Sequence, residues 1–256
     1  MTKRQMRKYI GKVGVFPTRR YEKLIGENIF QECEQDGMRN VIEKHMRNGV
    51  IFKGFRGVTI SEEAKIGSGT VIEEYVIIGG NSVIGGGSFI SSFSRIENSE
   101  IGDGTKIVSS NISDSSIGSS ATVGPYAHIH TSSKIGDETR IGNFVEIKNS
   151  VLGNGSKAAH LAYIGDTDIG EKCNIGCGVI FVNYNGKEKR RSKVGNGAFI
   201  GSNSNVIAPV VVEDGAYLAA GSTLTVDLPK GSLCIARSRE TVKENGNKYY
   251  DKGYTK

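Results

Sequence analysis

From Ile60 onward an isoleucine, leucine or valine returns at almost every sixth position, usually with glycine, serine or asparagine behind it and polar residues between. The anchors run Ile60, Ile66, Ile72, Ile78, Ile84, Ile90, Ile96, Ile101, Ile107, Ile112, Ile117, Val123, Ile129, Ile135, Ile141, Ile147, Leu152, Ala158, Ile164, Ile169, Ile175, Phe181, Val194, Ile200, Val206, Val212, Leu218 and Leu224. A few steps are five residues long, and the step from Phe181 to Val194 is thirteen. Six residues match neither the 3.6 period of a helix nor the period of two of a half-buried strand, but they suit a short flat strand followed by a tight corner. The anchor then points inward, and the small residue behind it occupies a crowded or left-handed corner.

Three such steps close one triangular coil, so the twenty-eight anchors predict about nine coils. The expected fold is all-β: a left-handed parallel β-helix of hexapeptide repeats, with a short helical lead-in. Its handedness departs from the usual right-handed crossover rule, so it follows from recognising the repeat. A single prism has a thin core, which favours side-by-side packing of chains. Ahead of the repeat, Val41, Ile42, His45 and Met46 are spaced for one helical face within residues 28–48, with Gly37 read as an interruption. The expected organisation is a basic tail and helical linker over 1–50, the β-helix over 51–236 and a C-terminal arm over 237–256.

Composition changes this picture little. Thirty-five glycines, four prolines and no tryptophan suit a solenoid of short strands. Neither a membrane span nor a signal peptide is evident, and Cys33, Cys173, Cys177 and Cys234 are too scattered for a disulfide framework, so a cytoplasmic protein with reduced thiols is expected. The net charge of +6 owes much to residues 1–23, which carry eight Lys and Arg against Glu22. Such a tail can attract nucleic acid or anionic lipid. Without interleaved stacking aromatics, a solvated tail or subunit contact is the expected reading and neither nucleic acid nor membrane is the expected partner.

Residues three anchors apart stack in neighbouring coils, roughly 4.8 Å apart, so the repeat converts sequence into surface columns. Two residues beyond Ala158, Ile175 and Ile200 stand His160, Cys177 and Ser202, with Asn174 beside that column and Tyr163 closing the hexad of His160. One residue beyond Ile129, Ile147 and Ile164 stand His130, Lys148 and Gly165, a plausible anion pocket. The same face leads through Phe181 into Asn183, Tyr184, Asn185, Gly186, Lys187, Glu188, Lys189, Arg190 and Arg191, a basic loop of the kind that meets a ligand phosphate. Each feature also has a plainer reading, as a hydrogen-bonded surface histidine or a solvated flap. The run His128-Ile-His130 could suggest a metal. With His45 and His160 the remaining histidines and no clustered carboxylates evident, a closed zinc site is not expected, nor is one at Cys173 and Cys177.

The stretch 124–239 resembles the acetyltransferase half of the bacterial bifunctional UDP-N-acetylglucosamine pyrophosphorylase/glucosamine-1-phosphate N-acetyltransferase family. The resemblance rests on Ile141-Gly-Asn-Phe-Val-Glu-Ile-Lys148, Ser156-Lys-Ala-Ala-His-Leu-Ala-Tyr-Ile-Gly-Asp166, Asn174-Ile-Gly-Cys-Gly178, Val182-Asn-Tyr-Asn-Gly186, Ala198-Phe-Ile-Gly-Ser202 and Ala219-Ala-Gly-Ser-Thr223. It implies a homotrimer with sites between chains, acetyl-CoA as co-substrate, no metal for the transfer, and a product on the way to UDP-N-acetylglucosamine. It also implies His160 as general base and Tyr163 and Asn174 at the acceptor sugar. Lys148, Asn183, Tyr184 and Lys189, with His130, then lie at the sugar phosphate. Cys177, Ser202 and Ala220 would contact acetyl-CoA, and Arg237 would reach a neighbouring subunit's site.

The departures are as informative. About forty residues precede the linker where the pyrophosphorylase half needs over two hundred, so uridylyl transfer is not expected. Family members usually carry arginine where this chain has His130 and aspartate where it has Asn185. A lost arginine–phosphate contact, roughly 1.5 to 3 kcal/mol, would weaken a sugar phosphate by about ten- to a hundredfold. Three other readings therefore stand beside the first: a different amino sugar or nucleotide-linked amino sugar as acceptor, an inactive trimeric scaffold, and a metal hydrolase on the same prism that would need three convergent histidines.

Overall fold

The computed structural model describes residues 36–244. The basic stretch 1–23, residues 28–35 of the helical lead-in and the end of the C-terminal arm lie outside the described residues. Every one of the twenty-eight anchors is buried, none with more than 8% of its surface exposed. They form one continuous core along the axis of a triangular prism. Among the described residues the prism strands all pair parallel, in three sheets of eleven, ten and nine strands, with every third strand adjacent. The architecture is the expected all-β, left-handed parallel β-helix. It gains a step at each end over the anchor count, at Ile51–Phe52 and Leu233–Cys234.

The sequence makes these corners in two ways. The glycine directly behind an anchor is required by crowding: a Cβ on Gly142 would lie 1.7 Å from the carbonyl oxygen of Ala159 in the next coil. Left-handed backbone falls further along the hexad and is not reserved for glycine, since Tyr75, Phe93, Tyr126, Phe144 and Leu161 all have φ between 45° and 63°. These five large side chains are exposed and share one corner, with Tyr75 stacked on Phe93 at 5.4 Å and Tyr126 on Phe144 at 5.6 Å. At other corners buried hydroxyls satisfy the backbone between coils: Thr105 receives one at Oγ1 from the amide of Ala121 while its own amide donates to Ser88 Oγ.

Helix α1 (Asp36–Arg47) closes the N-terminal end of the prism. Val41, Ile42, His45 and Met46 are its buried face, as the spacing predicts. Gly37 lies in the first turn of the described helix, and the residues ahead of Asp36, on the far side of the expected interruption, lie outside the described residues. Among the described residues no helix is long and apolar enough to cross a membrane.

Candidate active site

The strand pairing places the predicted columns. On the second face, His128–His130, Glu146–Lys148, Tyr163–Gly165 and Ile180–Val182 are successive strands. Their register pairs Ile129 with Ile147 and Ile147 with Ile164, and therefore His130 with Lys148 and Lys148 with Gly165. Gly165 leaves room here: a Cβ would stand 2.6 Å from the Tyr163 hydroxyl and 2.8 Å from Asn183 Nδ2, so a larger residue would push those side-chain ends aside. Tyr163 and Asn183 thus converge over the space that Gly165 leaves beside Lys148.

Asn183 is buried and its amide donates to Asp166, which also accepts from the side chain of Asn149. The amide of Asp166 donates to the Lys148 carbonyl at 3.0 Å, and its own carbonyl receives the Ser192 amide at 3.1 Å. One residue, Asp166, therefore joins the Lys148 coil to both feet of the basic loop, through its carboxylate at Asn149 and Asn183 and through its backbone at Lys148 and Ser192. The column rule could have found this, because Asn149, Asp166 and Asn183 each lie two residues beyond an anchor.

The basic loop projects between the second and third faces, re-entering the prism at Ser192–Val194, which pairs with Thr167–Ile169. It is a hairpin in which Tyr184 and Lys189 pair antiparallel across the loop. Asn185 Oδ1 caps its turn by accepting from the amides of Lys187 and Glu188, both at 2.9 Å. The exposed Tyr184 donates its hydroxyl to the Gly186 carbonyl at 2.8 Å. Arg191 holds the base, donating from Nε to Asp168 at 2.8 Å and from Nη1 to the Asn149 carbonyl at 2.7 Å. That guanidinium holds the Asp168 carboxyl below the ordinary carboxylate range.

On the first face, Arg140–Asn143 and Lys157–His160 run side by side, pairing Asn143 with His160, and Ala158, Ile175 and Ile200 stack as anchors. His160 is exposed, and its Nδ1 donates to Asn143 Oδ1 at 2.7 Å. This contact selects the tautomer that leaves the Nε2 lone pair facing solvent. The corner continues through Cys177, whose carbonyl receives the Asn203 amide, and Ser202, whose carbonyl receives the Gly221 amide. Ala220 is exposed next along it, and Arg237 lies beside Gly221, with its guanidinium 3.5 Å from Glu240. Asn174 is half-buried on the same face, between Lys157 and Phe199.

One grouping differs from the sequence reading. A carboxylate does accompany the His-Ile-His run: Glu146 is the register partner of His128, and His130 Nε2 donates to Glu146 Oε1 at 3.1 Å. Glu146 and His128 both stand one residue before an anchor, in the same column as Tyr163. The thiols of Cys173, Cys177 and Cys234 are free, and burial pushes that of Cys173 up.

The family model for bacterial transferase hexapeptide repeats matches residues 114–149 and 191–225. Those two stretches carry the hexapeptide repeat of that model. This hexapeptide-repeat chain is 47% identical over 236 residues to the bifunctional protein GlmU of Clostridioides difficile, an alignment covering 91% of this chain and 51% of that protein. It is 48% identical over 228 residues to the bifunctional protein GlmU of a Geobacillus species, covering 88% and 50%. The chain thus spans about half the length of these relatives. Among solved structures, LpxA of Bacteroides fragilis, a UDP-N-acetylglucosamine acyltransferase, is 20% identical with a TM-score of 0.46 over 68% of this chain and 70% of that one. The Arabidopsis UDP-N-acetylglucosamine acyltransferase has the same TM-score at 15% identity, over 81% and 75%.

Proposed function

We propose that this chain transfers the acetyl group of acetyl-CoA to the amine of glucosamine-1-phosphate. The observation that carries the reading is the pairing of His160 with Asn143, which leaves an exposed ring nitrogen ready to accept a proton. The relatives named GlmU, 43–48% identical, support the same assignment.

The acceptor amine arrives largely as an ammonium near neutral pH, so His160 Nε2 takes a proton and the freed lone pair attacks the thioester carbonyl. Such a base contributes about 10² to 10⁴ in rate. The carbonyl oxygen becomes an oxyanion, for which the amide of Cys177 is the proposed donor; the flanking amides of Gly176 and Gly178 are already given to the Ile200 and Leu161 carbonyls. Collapse expels the CoA thiolate, which takes the proton from the imidazolium, and the nitrogen then gives its second proton to the neutral His160, which releases it to solvent. Lys148, Asn183, Tyr184 and Lys189 bind the sugar phosphate, Tyr163 and Asn174 orient the sugar, and Ser202, Ala220 and Arg237 receive acetyl-CoA. The transfer itself uses no metal.

The exposed corner of Tyr75, Phe93, Tyr126, Phe144 and Leu161 supports association into a homotrimer with sites between subunits. Left-handed backbone costs a non-glycine residue about 1 to 2 kcal/mol, so bulky side chains kept there are accounted for by a partner surface. A cytoplasmic location fits the co-substrate.

The test is thiol release from acetyl-CoA with glucosamine-1-phosphate, against glucosamine and glucosamine-6-phosphate. Selective turnover of the 1-phosphate is expected. His160→Ala should bind acetyl-CoA normally and lose at least a hundredfold in turnover; near-normal turnover would sink the assignment. One observation favours a second reading, a different acceptor. His130 is engaged with Glu146 and so is not simply a cationic replacement for arginine at a phosphate. In that case acetyl transfer would appear only with another amino sugar in the panel.

A further inference from the structure

On a parallel strand, residues two apart leave the same face, so His128 and His130 both project outward from His128–His130, and Glu146 projects beside them from the adjoining strand. One donor atom from each lies within 4.8 Å of the others. His130 Nε2 and Glu146 Oε1 are 3.1 Å apart. That is close to the roughly 3.3 Å edge of a tetrahedron whose metal–ligand bonds are about 2.0 to 2.1 Å. All three residues are half-buried, so they are accessible while being held by the prism.

We propose that His128, His130 and Glu146 form a three-ligand site for a divalent transition cation of the zinc type, with an open coordination position toward solvent. Two imidazoles and one carboxylate are a donor set suited to such ions, whereas magnesium and calcium prefer oxygen alone. Thr131 supplies an outer partner, its hydroxyl lying 2.8 Å from His130 Nδ1. Because a hydroxyl can donate or accept, the ring proton moves from Nε2 to Nδ1 as the ion binds, and Nε2 is freed as a ligand without net proton release from His130. The two rings, stacked at 4.1 Å and 12°, rotate about χ2 so that their lone pairs converge on one ion.

The opposing influence is Lys148, the register partner of His130. Its charge disfavours a cation here, so removing it should tighten binding. The same neighbour lets an anion bridge the ion and the ammonium. This site stands on its own geometry and does not depend on the acetyl-transfer reading.

The experiment is titration of the intact chain with cobalt(II), followed by visible absorption and calorimetry. A single site per chain is expected, with the ligand-field bands of nitrogen and oxygen coordination and without the near-ultraviolet charge-transfer band that thiolates give. His128→Gln and Glu146→Gln, each checked for an unchanged thermal transition, should weaken binding at least tenfold, Lys148→Ala should strengthen it several-fold, and zinc should displace the cobalt where magnesium does not. Absence of binding, a thiolate band, or binding indifferent to both His128→Gln and Glu146→Gln would overturn the site.

Discussion

At the scale of single residues, the candidate site is set by contacts that hold its reactive groups. Asn143 fixes the tautomer of His160 through the 2.7 Å bond to Nδ1. Asn143→Ala should therefore reduce kcat by about tenfold or more, a part of the ~10² to 10⁴ a general base contributes. The KM for acetyl-CoA should hold while kcat falls, a split that loss of folding alone would not produce. Gly142→Ala acts from the other side of the same contact. Its Cβ would overlap the Ala159 carbonyl next to His160, and the expected cost is about 1 to 3 kcal/mol of overpacking, measured by urea unfolding, together with reduced turnover. The main columns were legible in the sequence because the anchors define the register. Asn143, Glu146 and Asp166 were missed for a common reason: each acts by hydrogen-bonding another functional side chain. Spacing shows which residues share a column but does not show which of them bond.

At the scale of elements, the hairpin and helix α1 each carry a titrating contact. Arg191 anchors the hairpin on Asp168, and both side chains are partly exposed, so the pair stabilises by no more than about 1 kcal/mol. Because the folded carboxyl titrates below its unfolded value, this contribution is present at neutral pH and above. It is lost as pH falls below about 4, through the folded value. Arg191→Ala should speed proteolysis within residues 183–191 and raise the KM for the sugar phosphate while leaving the prism's thermal transition nearly unchanged. His45 has the opposite charge type and a similar outcome in acid. It is buried on helix α1 with neither ring nitrogen hydrogen-bonded, and burial, aided by Lys44, lowers its titration below 6.5. The unfolded chain binds the proton more readily, so stability should decline as pH falls below about 6.5. Thermal unfolding between pH 8 and 5 should show that decline, and His45→Leu should flatten it. The apolar spacing made the helix visible in the sequence.

At the scale of the whole molecule, the repeat gave the fold away almost completely. Short strands with inward anchors leave few alternatives once the period is fixed, and the extra steps at Phe52 and Cys234 escaped only because their spacing departs from six. Assembly was less legible, since a repeat specifies contacts along the prism and not across it. The exposed corner is the contact proposed for it. Phe144→Glu is expected to shift a trimer toward monomer in sedimentation analysis and to abolish turnover together with association, although His160 is untouched. A monomer in the unaltered protein would remove the proposed intersubunit sites.

The hairpin between Val182 and Ser192 leaves one face and rejoins the next with the coils on either side in register. It is therefore a cassette whose length and charge can change without moving a single buried anchor. On the proposed reading, recognition of the acceptor can change with the hairpin while His160 stays held by its pairing with Asn143 on separate strands. Exchanging residues 183–190 between relatives should carry acceptor preference with the segment and leave the fold in place.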